Sequence, residues 1–545
     1  MQSATSQEKF PHTIYMPKRK ATTEPEPPLA PAHTTALLAW LSECGTEGLD
    51  QLSVRSTADG LGVFARRSFA PGDRIASLPQ RCVLSARAAE ESELGRAVRA
   101  AASAMGPTCE ALCTEEVVLW TYMAVGRVDP AHPWHAYLAS LPATSPEPAC
   151  WPQELRDALA STPVGASVGA AREAVQVAFE GLVGRLRQRL PELVPEGALD
   201  DVGALLWARG VFRSRAFPTK LLAAAGGADG VRLAADQLLA DADDDAEADG
   251  GCGGGGAPTV GGTAETWGAA AGVLLPLFDL LNHRPSTRIG WVATAERVDF
   301  VTDEAVAAGS ELFNNYGARP NEELLFSHGF ALVDNPHDAT TLVLAAAAAA
   351  AGSGSAAGAG GGGGGGAAAA ERRGFRIRRQ ESGGVPVELL QALAAAAAAA
   401  AGENAAPAEG QGGGEGEGEE EEEEAPQIEV GPEELEILLA TLQRRLQPLL
   451  PTRAADEALL AAARAREAAA VAEKKKKKKA KKTKTAAAAP GNEDEEEEDP
   501  RPTYVACYRQ GLREVLEGAI EWTEQLLGGA EGEEEGEEEG EAEET

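Results

Sequence analysis

Cysteine is scarce, aromatic residues are sparse and no apolar run is long, and each shortage removes a class of protein. The chain of 545 residues has seven cysteines, and only Cys109 and Cys113 stand close together, in a C-x3-C spacing with no second pair. An odd, dispersed set argues for a reduced compartment and against a structural zinc, so no metal is expected. The longest apolar runs, such as "TTLVLAAAAAAAG", fall short of the roughly 20 residues that a membrane span needs, so no membrane partner is expected. Positive charge is in deficit as well: 49 Lys and Arg against 85 Asp and Glu leave a net charge of -36. An acidic surface repels a phosphate backbone, which argues against nucleic acid as the substrate. The first 33 residues are Pro-rich, carry Glu8, Glu24 and Glu26, and lack the apolar core of a secretory signal. They leave import into an organelle open.

What the chain has in abundance is low complexity. Alanine and glycine runs, the acid cluster Asp241 to Asp249, the acid run Glu419 to Glu424, the lysine run Lys474 to Lys479 and the acidic tail after Leu527 cannot bury a core. Roughly 350 to 400 residues then remain for folding, enough for two domains. The lysine run, flanked by poly-Ala and "EDEEEED", reads as a solvated insertion, with a nuclear signal as the alternative.

The stretch "DGLGVFARR" places Gly60, Gly62 and Ala65 in the G-x-G-x-x-A spacing of a dinucleotide loop. That fingerprint works only where a helix follows the glycines and turns its amides toward a pyrophosphate. Here "SFAPGDRIASLP" follows, with a turn signal at Ala70-Pro71-Gly72-Asp73, so the segment reads as a β-hairpin. From Ser85 to about Val211 the apolar spacing is helical, and strand-like sequence returns with "IGWVATAERVDFVTDEAVAAGSELFNNYG". After Pro336 the pattern is amphipathic-helical, as in "GPEELEILLATLQRRLQPLL". Four short motifs stand out: Asp59 to Gly62, Ser214 to Phe217, Asp279 to His283, and Asn315-Tyr316-Gly317 running into "ARPNEELLFSHGF". Singly, an Asn-His pair is a turn or a core histidine, "NYG" a turn and "SRAF" a helix end. Their order and spacing carry the information.

Together these motifs closely resemble the SET-domain protein methyltransferases of the plant-type subgroup, which includes the Rubisco large-subunit lysine methyltransferase and the actin-histidine methyltransferase. "DGLGVFARRSFAPGDRIASLP" is similar to the opening SET hairpin and "HPWHAYLASLP" to the helical insert of the subgroup. "PLFDLLNH" and "GSELFNNYGARPNEELLFSHGF" are similar to the two motifs of the catalytic core. The resemblance implies an α+β fold of small β-sheets with knot-like C-terminal threading and a helical insert, followed by an all-α substrate-binding domain with low-complexity insertions. The expected layout is a disordered segment 1–33 and a SET domain 34–335, with its insert at about 86–211 and a disordered loop at about 223–272. A helical domain 336–528 follows, with insertions at about 345–372, 393–426 and 473–500, and then an acidic disordered tail 529–545.

The resemblance also implies S-adenosylmethionine as methyl donor, held by Asp59, Gly60, Leu61, Arg215, Asn282, His283, Gly329 and Phe330. Glycine there allows close approach of backbone to the donor, for Gly62 as for Gly60, and Arg215 suits its carboxylate. Tyr316 is the expected catalytic residue, orienting the amine and lining the methyl path. Arg215, Phe217, Phe278, Asp279, Tyr316 and His328 are expected around the acceptor. An aromatic wall from Phe217 and Phe278 suits an ammonium by cation-π attraction, which favours lysine over histidine as target. His328 departs from the pattern, because relatives often carry tyrosine before Gly-Phe, and Asn315 stands where a small residue is common. The implied function is protein-lysine methylation of a non-histone protein such as a Rubisco large-subunit-like plastid substrate. Protein-histidine methylation, or a non-catalytic scaffold binding a basic partner, are the alternatives. A monomer inside the cell is expected, with chloroplast, cytoplasm and nucleus all open.

Overall fold

The computed structural model describes residues 32–57, 60–223, 231–234, 272–345, 372–379, 384–401, 430–481 and 499–541. By contacts among those residues the chain divides into two units, one of residues 32–337 with 455–508 and another of 338–454 with 509–541. Residues 455–508 therefore join the first unit, where sequence composition groups them with the C-terminal helices. Most of the stretches read as low-complexity insertions lie outside the described residues.

The strands of the first unit are short: β1 (Leu52–Thr57), β2 (Gly60–Ala65), β3 (Arg74–Pro79), β4 (Leu84–Ser85), β5 (Phe217–Pro218), β6 (Val231–Ala234), β7 (Gly272–Leu274), β8 (Asn282–His283), β9 (Ile289–Ala293), β10 (Arg297–Thr302) and β11 (Glu311–Asn314). They form three small sheets, in the orders β1-β2-β11-β8, β3-β10-β9-β6 and β4-β7-β5. The hairpin containing Gly60 is β1 with β2, in register from Leu52 opposite Ala65 to Thr57 opposite Gly60. The Ala70 to Asp73 turn does not close a hairpin of its own: β2 and β3 belong to different sheets, and β3 pairs with β10. A turn signal fixes the chain reversal, but the pairing partner is decided by which faces are apolar. β6 falls inside the stretch read as a disordered loop, where "VRLA" pairs with β9 from Val231 opposite Ala293 to Ala234 opposite Gly290. Four residues are too few for a composition window to register.

Between β4 and β5 the chain is helical. The helix Glu115–Val128 is buried along Val117 to Gly126, capped by the Thr114 hydroxyl, which accepts from the Val117 amide at 3.3 Å. Pro163–Gly181 is capped in the same way by Thr162, and Val202–Arg215 by Asp201. These helices share one apolar core with the sheets. At its centre Trp291 on β9 packs edge-on to Phe217 at 5.2 Å and to Phe278 at 5.3 Å between ring centroids, with Phe300 at 5.0 Å. The sequence after β11 returns to this unit as the helix Asn321–His328. Leu460, Ala506 and Cys507 bury Ala331 and Val333, and Arg464 pairs with Asp334 at 2.8 Å.

The second unit is mostly helical but opens with a hairpin, which corrects the expectation of an all-α domain. β12 (Ala339–Ala345) and β13 (Arg372–Arg378) pair antiparallel along their length, with Leu342 opposite Phe375 and Thr340 opposite Ile377. All four are buried. Alternation in "TTLVL" and "GFRIR" is the strand signal, masked in sequence by the adjoining alanine run. In Pro432–Leu446 the buried Leu435, Leu438 and Leu442 recur at helical spacing. The helices Val387–Ala401, Arg453–Lys481 and Arg501–Glu541 run into stretches read as low-complexity insertions and tail. Alanine, lysine and glutamate are intrinsically good helix formers whether or not they bury a face.

Because Trp291 anchors the packing of three rings from three segments, Trp291→Ala is expected to cost about 3–5 kcal/mol. A urea-unfolding midpoint unchanged from the parent would refute that packing.

Candidate active site

The residues singled out from sequence arrive at one place because five segments end there. The N-terminal end of β2 brings Gly60 and Leu61, and the last turn of Val202–Arg215 brings Ser214 and Arg215. The turn Phe278–Leu280 leads into β8 with Asn282 and His283, and Tyr316 follows β11. His328, Gly329 and Phe330 close the helix Asn321–His328. All of these except Phe278 line one cavity of about 1300 Å³, together with Asp279 and Leu281. Asp59 lies outside the described residues. Gly62 does not reach this cavity: a Cβ there would lie 2.7 Å from Glu311 Oε1, so its close approach is to a side chain of β11. Gly60, at φ 102° with open space beside it, is the glycine whose backbone faces the cavity.

Phe217 and Phe278 are not brought to the cavity wall; both are buried on Trp291. The cavity's aromatic side is built instead from Tyr316, His283, His328 and Phe330. The Tyr316 ring lies 4.8 Å from that of His283, nearly parallel, and 4.8 Å from that of His328. The His328 and Phe330 rings are 6.1 Å apart. The Tyr316 hydroxyl donates to the Leu281 carbonyl at 3.2 Å, and its amide donates to His283 Nδ1 at 3.0 Å. Burial pushes the phenol up to about 12, so it stays a neutral O–H donor.

Asp279 forms the charged floor. One carboxylate oxygen accepts from Arg215 at 3.1 Å and from the Tyr137 hydroxyl at 2.9 Å. Arg215 also donates to the Asp279 carbonyl at 2.9 Å. The other oxygen, Oδ1, is buried with no hydrogen-bond partner. Burial raises the Asp279 pKa, and the Arg215 charge and the bond from Tyr137 oppose that rise. A carboxylate oxygen left without a partner at such depth is costly.

Asn282 does not present its amide to the cavity. Nδ2 donates to the Leu61 carbonyl at 3.1 Å and to Glu311 Oε1 at 2.8 Å, which locks β8 to β2 and β11. Gly329 ends its helix at φ 71°, and a Cβ there would fall 1.9 Å from the Pro146 carbonyl oxygen, so no other residue fits. Sequence reasoning missed Tyr137 and Glu311, as well as the cavity residues Ser140 to Pro146 from the insert, Arg501 and Tyr504 from the helix Arg501–Glu541, and Asp499 just before it. Tyr137 lay in the quoted "HPWHAYLASLP", where a tyrosine at a buried helical position calls for a partner for its hydroxyl. Glu311 had no such signal. Among the described residues no cluster of three or more His, Cys, Asp or Glu is placed to hold a metal, and no helix is long and apolar enough to cross a membrane.

Residues 60–317 match the family model described as SET domain. A relative from Schizosaccharomyces pombe, ribosomal lysine N-methyltransferase set10, is 49% identical over 76 residues, 13% of this chain and 14% of that protein. SET domain-containing protein 4 of Mus musculus is 26% identical over 305 residues, 55% of this chain and 59% of that protein. The chain thus spans less than two thirds of the length of either curated relative. A solved structure of Rubisco LSMT bound to sinefungin and monomethyllysine has the same fold, at a TM-score of 0.55 and 16% identity, over 91% of this chain and 92% of that one.

His132 and His328 sit as neutral imidazoles, their pKa pushed down to about 4 and about 3, mainly by burial. An unfolded chain binds those protons near pH 6.5. Stability is therefore whole above that pH and is lost as pH falls toward the folded values. Each histidine contributes up to about 1 kcal/mol per pH unit after allowance for its partial exposure. His328→Phe should flatten the fall in urea-unfolding midpoint between pH 6.5 and 4; a slope equal to the parent's would place the acid sensitivity elsewhere.

Proposed function

With residues 60–317 a SET domain, we propose that the chain is a protein-lysine N-methyltransferase that takes its methyl group from S-adenosylmethionine. The observation that carries this is the meeting of Gly60–Leu61, Arg215, Asn282–His283, Tyr316 and Gly329–Phe330 around one cavity. The cavity fits such a donor: backbone is bare at Gly60, Arg215 lines the wall, and the volume exceeds what one drug-sized ligand needs. Gly60 and Leu61 would hold the donor by backbone, with His283, Gly329 and Phe330 beside them. Asn282 would contribute through its main chain, since its amide is engaged. The donor supplies an electrophilic methyl on a sulfonium cation.

Tyr316 orients the acceptor amine, and its ring walls the methyl path. Methyl transfer is an in-line displacement, so alignment of nitrogen lone pair, methyl carbon and sulfur supplies most of the rate. The amine must arrive neutral, and burial next to Arg215 and a sulfonium favours loss of its proton. By family similarity Asp279, at the floor of the cavity, would help hold the substrate lysine. The knot-like threading that the family implies would lie where β8 and β11 run parallel.

The names of the relatives support lysine as target. So does the aromatic lining of the cavity, although Phe217 and Phe278 do not contribute to it. The substrate proposed is a non-histone protein, in the class that includes a Rubisco large-subunit-like plastid protein, held by the C-terminal helices. The net charge of -36 favours a basic one. The protein would work as a monomer inside the cell, with the chloroplast among its compartments.

The test is incubation with methyl-labelled S-adenosylmethionine and a protein extract. Label is expected on lysine, falling roughly 100-fold in Tyr316→Phe, which misaligns the amine, and falling also in Arg215→Ala. Absence of both label and donor binding by calorimetry in the parent would overturn the enzyme in favour of a scaffold.

A further inference from the structure

Two cysteines that the sequence leaves unrelated meet in the first unit. Cys44 follows the helix Ala32–Glu43, and Cys82 ends the short turn Gln80–Cys82 after β3. Their thiols lie within hydrogen-bond reach of each other. The backbone around them is clamped: Arg81, next to Cys82, donates to the Cys44 carbonyl, and Arg297 Nη2 donates to the Gly45 carbonyl at 3.0 Å and the Ser77 carbonyl at 3.1 Å. Glu47 and Ser77 exchange backbone bonds just beyond, at 3.0 and 3.1 Å. Both cysteines are free thiols. Cys44 is half-buried between exposed Glu43 and Gly45, whereas Cys82 is 1% exposed. Other thiols are engaged differently: Cys109 donates to the Gly181 carbonyl at 3.4 Å and Cys150 to the Leu206 carbonyl at 3.5 Å.

We propose that Cys44 and Cys82 form a redox site, where a hydroperoxide converts the two thiols reversibly into a disulfide that pins the helix Ala32–Glu43 to the end of β3. Cys44, the sulfur nearer to solvent, attacks first as thiolate. Its S–O bond forms as the O–O bond breaks, giving a sulfenic acid and a hydroxide that takes up the thiol's proton. Cys82 then attacks the Cys44 sulfur: the S–S bond forms, the S–O bond breaks, and the leaving hydroxide takes the Cys82 proton. The thiols have lost two electrons and two protons, and hydrogen peroxide has become two waters. Before oxidation, burial and the neighbouring Cys44 thiol push the Cys82 pKa up to about 12, against the pull of Arg81 and Arg297. A neutral sulfenic acid at Cys44 removes one charge from that balance and leaves both guanidiniums, which readies Cys82 as the resolving thiol only after Cys44 has reacted. The bond closes a loop containing β1, β2 and β3, and so constrains the unfolded chain. At its other end the same helix brings His33 and Thr34 to the cavity, so the bond also fixes one wall of the site.

The reaction needs neither methyl donor nor acceptor, so its outcome is independent of the methyl-transfer reading. The full chain is reduced, freed of reductant, treated with hydrogen peroxide, blocked with N-ethylmaleimide and digested for peptide mass spectrometry. The parent should yield a peptide pair joining Cys44 to Cys82, two hydrogens lighter than the separate peptides, and dithiothreitol should undo it. Oxidised parent should unfold several degrees higher, and the amides from Leu37 to Cys44 should exchange roughly tenfold more slowly. Cys82→Ala should instead accumulate sulfenic acid at Cys44, trapped by dimedone, and Cys44→Ala should gain neither link nor midpoint. Either variant suffices if the other fails to fold. Sulfenic acid trapped at Cys44 in the parent with no link to Cys82, or a link from Cys44 to another cysteine, would overturn the pair. A Cys44–Cys82 link that leaves both midpoint and exchange unchanged would overturn the pinning.

Discussion

A single buried charge pair, Arg215 with Asp279, holds the site together. The two residues come from different elements, the end of the helix Val202–Arg215 and the turn before β8, and Tyr137 of the insert donates to the same carboxylate oxygen. Three segments far apart in sequence therefore meet at one atom. Such a pair adds little net stability compared with an apolar filling, because both ions lose their hydration. What it does is fix geometry: removing either partner strands a charge, so alternative packings of the three segments are strongly disfavoured. The carboxylate's second oxygen stays without a partner, a cost that packing alone gives no reason to retain.

A neutral counterpart ties the opposite side. Asn282 reaches across to the Leu61 carbonyl and Glu311, and Gly62 lets Glu311 come close enough to accept. β8 has two residues and one parallel neighbour, too little ladder to set its own position. The amide bonds of Asn282 set it instead. His283, next along, is then placed for its Nδ1 to accept the Tyr316 amide, and the orientation of Tyr316 follows from that of Asn282.

Much of this was legible in the sequence, and the pattern of what was not has a physical cause. Motif residues such as Gly60, Arg215, His283, Tyr316 and Gly329 fall at element ends, where caps, turns and positive φ leave sequence marks. Their convergence on one cavity could be expected from resemblance but not computed from spacing. Phe217 and Phe278 were misplaced because a motif fixes a residue's element, not the direction in which its ring points; Trp291, identified only as part of a strand, supplies the apolar surface that captures both. Glu311 looks like an ordinary exposed strand residue, and its role depends on a missing Cβ at Gly62, on a neighbouring strand. The hairpin of β12 and β13 leaves little mark in the sequence because the alanine run beside it dominates the local composition.

The same reasoning explains why the insert is part of the site rather than an ornament on it. Glu147, fully buried, bonds Arg209 and lies 3.9 Å from Arg213, six and two residues before Arg215 on the same helix. Arg213 also reaches Ser327 at 3.4 Å and covers the Phe326 ring at 4.9 Å, and Ser214 holds His328. Burial pushes the Arg213 pKa down to about 10, still far enough above neutrality to keep its charge. The rotation of this helix about its axis is thus pinned on one side by Glu147 and on another by Asp279. Rotating it to relieve one pair would break the other, and it would move both Arg215 and the Ser214 carbonyl that His328 bonds. His328 and the Arg215–Asp279 pair are coupled through one helical turn, so their relative geometry is a property of the insert's packing.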